Sequence, residues 1–274
     1  MPRPEVRQAY AAPYDWLTPD WPAPAHVRAL CTTRAGGVSV APWDSLNLGE
    51  HVADDPATVK ANRAVFTRAL ALSSPGQTAS PVFMNQVHGT HVESIRRNTP
   101  DGIEADACTT QEAGVACVIM VADCLPVLFT NAAGDRVAAA HAGWRGLAGS
   151  ATGVGVLEEA VQRFDPSEAV FAWLGPCIGS KAFEVGAEVR AAFCDADASA
   201  EVFFSALGEN KFLADLAGIA RHRLERAGVR SVHGNDGTVA WCTFSNPSRF
   251  FSYRRDQRIL GGSGRLAAAV WIDG

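Results

Sequence analysis

Three residues of a type suited to metal or nucleophilic chemistry stand in short polar motifs beside apolar runs. His88 lies in Asn85-Gln86-Val87-His88-Gly89, Cys124 in Ala122-Asp123-Cys124-Leu125-Pro126, and His141 in Ala140-His141-Ala142-Gly143-Trp144-Arg145-Gly146. Two imidazoles and a thiolate form the soft donor set that suits Zn²⁺ with an open fourth position, and Cu accepts the same donors. The intervals, 36 and 17 residues, match no local finger motif. Two other readings use the same residues. Cys124 serves as a nucleophile with His88 or His141 as its base and Asp123 orienting a histidine. Alternatively, the histidines are hydrogen-bonded core residues and Cys124 is a small buried hydrophobe.

Apolar runs of strand length lead into these motifs. Residues 27–32, 82–85, 115–121, 127–129, 137–141 and 170–174 are β-branched or uniformly apolar and bounded by turn residues. Those at 115–121 and 137–141 show almost no polar alternation, as expected of strands covered on both faces. Helices are expected from Asp54-Asp55-Pro56 onward, with Val59, Phe66 and Leu70 as the apolar stripe, over 146–164, and over 211–227 with Gly228 as the stop. Strands interleaved with helices indicate a layered α/β or α+β fold. Residues 1–26 read as an irregular N-terminal arm and 27–274 as a single domain.

The composition excludes several classes. The 274 residues are 47% hydrophobic and 19% charged, with net charge −5, values of a globular chain that can bury a core. An acidic balance argues against a nucleic-acid partner, which calls for basic excess. The start Met1-Pro2-Arg3-Pro4-Glu5 has no apolar signal segment, and the most apolar run, 113–122, is about half a membrane span. Seven scattered cysteines read as reduced thiols. The expectation is a cytoplasmic protein with no membrane and no nucleic-acid partner. Arg249, Arg254, Arg255, Arg258 and Arg265 read as a solvated basic face, and Trp144 and Phe83 as core. Cys177 and Cys242 read as structural thiols, and Asp106 as a pocket or capping residue. His91 is set aside as a ligand, because strand alternation would point it away from His88.

The motifs together resemble the bacterial laccase-domain family, also called multicopper polyphenol oxidoreductases, peptidoglycan editing factors or purine nucleoside phosphorylase-like proteins. Thr33-Arg34-Ala35-Gly36-Gly37-Val38-Ser39, Ser45-Leu46-Asn47-Leu48-Gly49 and Asn62-Arg63 resemble its N-terminal blocks. Gln86-Val87-His88-Gly89-Thr90, Ala105-Asp106-Ala107, the Cys124 and His141 motifs, Leu174-Gly175-Pro176-Cys177-Ile178-Gly179, Phe183-Glu184-Val185-Gly186 and Phe251-Ser252-Tyr253-Arg254-Arg255-Asp256 follow in order. The resemblance covers about residues 28–272. It implies a single α-β-β-α domain with mixed sheets packed between helices, and a metal site at His88, Cys124 and His141 usually occupied by zinc. It also implies purine nucleosides and phosphate as substrates, split to base and ribose 1-phosphate, with adenosine deaminase side activity, in a monomer or homodimer. Alternatives are a peptidoglycan-precursor amidase at the same metal site, a copper-dependent polyphenol oxidase and a non-enzymatic metal-binding regulator. The copper oxidase fits poorly, since seven histidines without a His-x-His pair cannot serve four coppers. Asn47, Arg63, Asp123 and Arg145, within or beside family motifs, are the expected substrate- or phosphate-binding residues.

Overall fold

The computed structural model describes residues 14–74, 79–149 and 153–274. Among these, the first sheet runs in the order β1 (Val27–Cys31), β13 (Leu266–Ile272), β5 (Val115–Val121) and β2 (Ser80–Phe83), with only the β5–β2 pair parallel. The second runs β12 (Ser231–Gly234), β8 (Val170–Leu174), β6 (Leu125–Asn131), β7 (Val137–Ala142), β4 (Ala107–Thr110) and β3 (Val92–Ser94). It is parallel at both edge pairs and antiparallel between. A small antiparallel sheet orders β10 (Phe204–Gly208), β11 (Lys211–Ala214) and β9 (Glu184–Gly186).

Why the long strands carry no polar alternation is visible in their two faces. Val115, Cys117, Ile119 and Val121 of β5 face the gap between the sheets, where Leu128, Val137, Ala139, Ala268 and Val270 meet them. Ala116, Val118 and Met120 face the other way, with Ala267, Ala269 and Trp271, onto α1 (Pro56–Leu72) through Phe66 and Leu70. The outer face of the second sheet, including Leu125, Val127, Phe129, Ala138 and Ala140, is covered by α2 (Trp144–Ala148), α3 (Val156–Val161), α4 (Ala187–Cys194) and α5 (Leu216–Arg226). The layers therefore stack helix, sheet, sheet, helix, as expected. Strands with both faces buried must be apolar throughout. No helix among the described residues is long and apolar enough to cross a membrane.

Helix α1 begins as read: the Asp55 side chain caps Ala57 N–H at 2.8 Å and Pro56 occupies the first turn. Two other helices differ from expectation. Residues 211–214 form β11 and only 216–226 are helical, because Asp215 caps the helix by accepting from Gly218 N–H at 2.9 Å. The stretch 146–164 is two short helices, not one. Gly149 has φ +83°, and a Cβ there would sit 2.1 Å from the Val154 carbonyl oxygen, so the chain turns where the apolar spacing continues. Residues 1–13 of the N-terminal arm, 75–78, and 150–152 within the 146–164 stretch lie outside the described residues.

The loop between β1 and α1 carries only a single 3-10 turn, Glu50–Val52, and hangs on buried Asn62. Its Nδ2 donates to Ser39 Oγ (2.8 Å), Ser45 O (3.2 Å) and Asn47 O (2.9 Å), and its Oδ1 accepts from Val38 N–H (2.9 Å). Asn62→Ala strands several of these groups and should lower the stability of metal-free protein in urea by about 2–4 kcal/mol. The exposed change Thr67→Ala on the same helix should stay within about 0.5 kcal/mol. Equal midpoints for the two variants would contradict the anchoring role.

Candidate metal centre

The gap between the two sheets opens at the site. His141, at the end of β7, has the strand parity of Val137 and Ala139 and so faces the inter-sheet side. Cys124 precedes β6 with the parity of Leu128 and packs against the same inter-sheet core. The connection from β5 to β6 crosses between sheets in three residues, a tight passage taken with Asp123 at φ 87°. His88 comes from a turn after β2, also left-handed, at φ 64°. Gln86 fixes the approach to that turn by pairing its side-chain amide with the Met120 backbone of β5, donating to O at 2.7 Å and accepting from N–H at 2.8 Å.

Asp106 gathers these segments. Its carboxylate accepts from Val87, His88 and Gly89 N–H at 3.2, 2.8 and 2.6 Å and from His141 Nδ1 at 2.8 Å. Burial works against this carboxylate, but the bonds from His141 and the turn amides hold it below the usual carboxylate range. Pinning His141 through Nδ1–H leaves Nε2 as the nitrogen that can give a lone pair to a metal once its proton is displaced, the arrangement seen where a carboxylate orients a metal-binding imidazole.

The donor atoms of His88, Cys124 and His141 lie within 4.8 Å of one another. Cys124 Sγ is 3.7 Å from His88 Nε2, against about 3.6 Å for a tetrahedral edge built from zinc–sulfur and zinc–nitrogen bonds. Burial disfavours the Cys124 thiolate, yet His141 and His88 overcome that and bring its pKa down to about 6. Burial likewise opposes charge on His141, and the Cys124 thiolate and Asp106 lift its pKa to about 9. Between those two values the metal-free pair is a thiolate facing an imidazolium, and a soft divalent metal binds by displacing the His141 ring proton. The donor set fits zinc, and copper is compatible with it. Close packing keeps the cluster small: a Cβ at Gly143 would lie 2.7 Å from His88 Cδ2 and 3.0 Å from Cys124 Sγ.

No second group of three His, Cys, Asp or Glu donors occurs among the described residues. His26 faces the Gly134 carbonyl, His91 pairs with Glu93, His222 with Asp197, and His233 with Ser231. His91 is thus outside the cluster, although the reason differs from strand alternation: His88 sits in a turn.

The cluster opens into a cavity of about 570 Å³ lined by His51, Gln86, Asp123, Trp144, Arg145, Ile178, Phe183, Leu216, Tyr253, Arg254 and Arg265 among others. Arg145 stacks over Trp144 at 4.4 Å, which makes Trp144 a wall of the cavity as well as a partner of the core. Asp123 lines the cavity with its carboxylate already engaged, accepting from Thr243 Oγ1 (2.6 Å) and Arg254 N–H at the start of α6 (Tyr253–Leu260) (2.7 Å). Burial pushes the Asp123 carboxyl above its usual range despite those bonds.

Asn47 and Arg63 are not brought to the cavity wall. Asn47 is fully buried, donating to Gly49 O and Asp54 and accepting from Gly49 and Arg265 N–H. Arg63 is held by Leu48 O, Glu50 and Asp101 and stacks over Phe83, which is core. Sequence reasoning passed over His51 and treated Arg265 as part of a solvated face, yet both line the cavity. Arg255, from the same run, is no solvated residue either: it grips Asp256 and the carbonyls of Thr243, Phe244 and Phe250. Cys177 and Cys242 are buried as expected.

Two stacked sheets with a His–Cys–His cluster at their open end define an α/β protein built around one three-donor centre. The family model for multi-copper polyphenol oxidoreductase laccase matches residues 28–273, and the chain belongs to this family. It is 49% identical over 259 residues to a Pseudomonas aeruginosa protein named purine nucleoside phosphorylase, spanning 94% of this chain and 98% of that one. It is 46% identical over 257 residues to Escherichia coli purine nucleoside phosphorylase YfiH, spanning 93% and 98%. The crystal structure of a Neisseria meningitidis protein superposes with a TM-score of 0.83 at 45% identity, spanning 95% of this chain and all of that one.

Two outcomes follow from the geometry. Asp106→Asn should weaken zinc binding about 10–100-fold in a competitive chelator titration, because it removes the carboxylate that orients His141; unchanged affinity would contradict that role. In metal-stripped protein, iodoacetamide should alkylate Cys124 with a rate that rises through about pH 6. The midpoint should move up toward the ordinary thiol value of about 8.5 in His141→Ala. A wild-type midpoint near 8.5 would show that the imidazoles do not hold the thiolate.

Proposed function

We propose that this protein is a metal-dependent purine nucleoside phosphorylase, with His88, Cys124 and His141 as metal ligands and zinc as the metal. One observation carries the reading: the cluster and three guanidinium groups, Arg145, Arg254 and Arg265, open into one cavity that also has an aromatic and aliphatic wall. A purine needs flat apolar surface, phosphate needs fixed cations, and a cavity of this volume suits small-molecule recognition. The relatives named purine nucleoside phosphorylase support the same substrate class.

In this reading the purine lies against Trp144, Ile178 and Phe183, and the Arg145 guanidinium holds an anionic oxygen. Asp123, its carboxylate fixed by Thr243 and α6, shapes the floor of the cavity. An oxygen of hydrogen phosphate attacks the anomeric carbon, the bond to the purine nitrogen breaks, and the base leaves with the proton that the phosphate gives up. Bound zinc would supply Lewis-acid polarisation of a substrate or phosphate oxygen. The chain's own task is to hold both reactants in line with little water between them. Adenosine deamination as a side activity, and hydrolysis of a muramoyl–amino-acid bond as an alternative activity, both use water where phosphorolysis uses phosphate.

Metal-replete protein incubated with inosine or adenosine and phosphate should release base and ribose 1-phosphate, measured by liquid chromatography. His141→Ala should lower kcat/KM about 100-fold or more, with loss of bound metal. Absence of nucleoside cleavage by metal-replete wild type would overturn the proposal. Phosphate-independent hydrolysis of a muramoyl–amino acid would favour the amidase reading in its place.

A further inference from the structure

We propose that Arg265, seated by Asn47 and Gly49 with His51 beside it, is the principal anchor for inorganic phosphate in this cavity. The inference rests on the phosphorylase reading and names the residue that binds its anionic co-substrate.

The first observation is a cation without a countercharge. Arg265 lines the cavity, and its Nη1 donates to the carbonyls of Ser263 (3.0 Å) and Gly264 (3.1 Å), which fixes the guanidinium from behind. No carboxylate pairs with it, or with Arg145 and Arg254 in the same cavity, among the described residues, whereas Arg28, Arg34, Arg63, Arg97, Arg190, Arg223, Arg226, Arg249 and Arg255 all have acidic partners; what sets Arg265 apart is its seat. No buried side-chain nitrogen or oxygen lacks a partner among the described residues, so its other guanidinium nitrogens are open to solvent on a residue that lines the cavity. Burial lowers the Arg265 pKa, with Cys124, Asp123 and Tyr253 acting in the opposite direction. A partly desolvated guanidinium with free donors fits a tetrahedral oxyanion, which can accept two of its N–H groups at once.

The second observation is that the chain builds a seat for it. Asn47 Oδ1 accepts from Arg265 N–H at 2.9 Å, and Leu48 N–H donates to the Arg265 carbonyl at 3.2 Å. A Cβ on Gly49 would lie 2.7 Å from Arg265 Cγ, so only glycine at 49 admits the arginine stem in this position. Beyond the turn, His51 also lines the cavity. Burial, and after it the nearby Arg265 and Arg63, push the His51 pKa below its ordinary value, which favours a neutral ring with one N–H for an anion. The Ser45–Gly49 motif thus acts on the ligand through Arg265. Asn47 is a positioning residue and does not itself touch the ligand.

The test is isothermal titration of metal-replete protein with inorganic phosphate, alongside initial-rate kinetics. Arg265→Gln should weaken phosphate binding about tenfold or more, and Arg265→Lys, which keeps the charge and loses the fork, should weaken it less. KM for phosphate should rise in parallel while KM for inosine stays within about twofold. Arg258→Gln, on the exposed face of α6, should match wild type. Wild-type phosphate affinity in both Arg265 variants would overturn the inference. Independently of variant folding, phenylglyoxal modification of the wild type, mapped by mass spectrometry, should be slowed by phosphate at Arg265 and not at Arg258. Equal modification with and without phosphate would also overturn it. Inosine monophosphate that binds through Arg265 where inorganic phosphate does not would assign the site to nucleotides and reject the co-substrate role. Arg265-dependent phosphate binding without nucleoside cleavage would remove the phosphorylase reading and leave the anion site. Phosphorolysis with unchanged phosphate KM in both variants would do the reverse.

Discussion

The Asp106 carboxylate is the constraint on which the rest of the site depends. Four donors converge on it, three of them successive backbone amides of the turn that carries His88 and the fourth the ring of His141. A buried carboxylate without such partners would cost several kcal/mol and would not remain charged. Because it is satisfied, it locks two segments from different sheets into one geometry and selects the tautomer of His141. The left-handed conformation of His88, unusual for a residue with a Cβ, is held by the same bonds.

Around that lock the sandwich supplies rigidity and the loops supply chemistry. Strands β5, β6 and β7 are buried on both faces, so their ends are fixed by close packing. Cys124 and His141 stand at those ends; of the cavity cations Arg145 follows β7, while Arg254 comes from α6 and Arg265 from the entry to β13. The Ser45–His51 loop is far in sequence from the start of α6 and the strand entry at Arg265, and Asn47, Asn62 and Asp123 link these segments at the cavity. Buried polar residues that look like binding groups in the sequence thus serve to place other binding groups.

The layered architecture was legible because doubly covered strands such as 115–121 must be apolar at every position. The three donor residues were legible because polar side chains at the ends of such strands need a reason to be there. The errors have physical causes too. Leu213, Leu216, Ala220 and Leu224 satisfy a helical period, but Asp215 caps the helix after a strand has begun, and a period cannot locate a cap. Gly149 interrupts 146–164 through a left-handed turn that apolar spacing does not register. Arg265 was grouped with its charged neighbours because linear charge density says nothing about which guanidinium faces inward. His51 follows its motif by two residues and carries no pattern of its own. Asp106 was noticed, yet its role depends on four donors that only the folded chain assembles.

The central claim, that Asp106 pre-forms a His–Cys–His centre for one metal ion, is tested most directly by metal K-edge X-ray absorption on protein purified without added metal. The account predicts about one zinc per chain with one sulfur neighbour at about 2.3 Å and two imidazole nitrogens at about 2.0–2.1 Å, and loss of the sulfur shell in Cys124→Ser. A stoichiometric metal with no sulfur neighbour, or a wild-type shell that persists in Cys124→Ser, would contradict it.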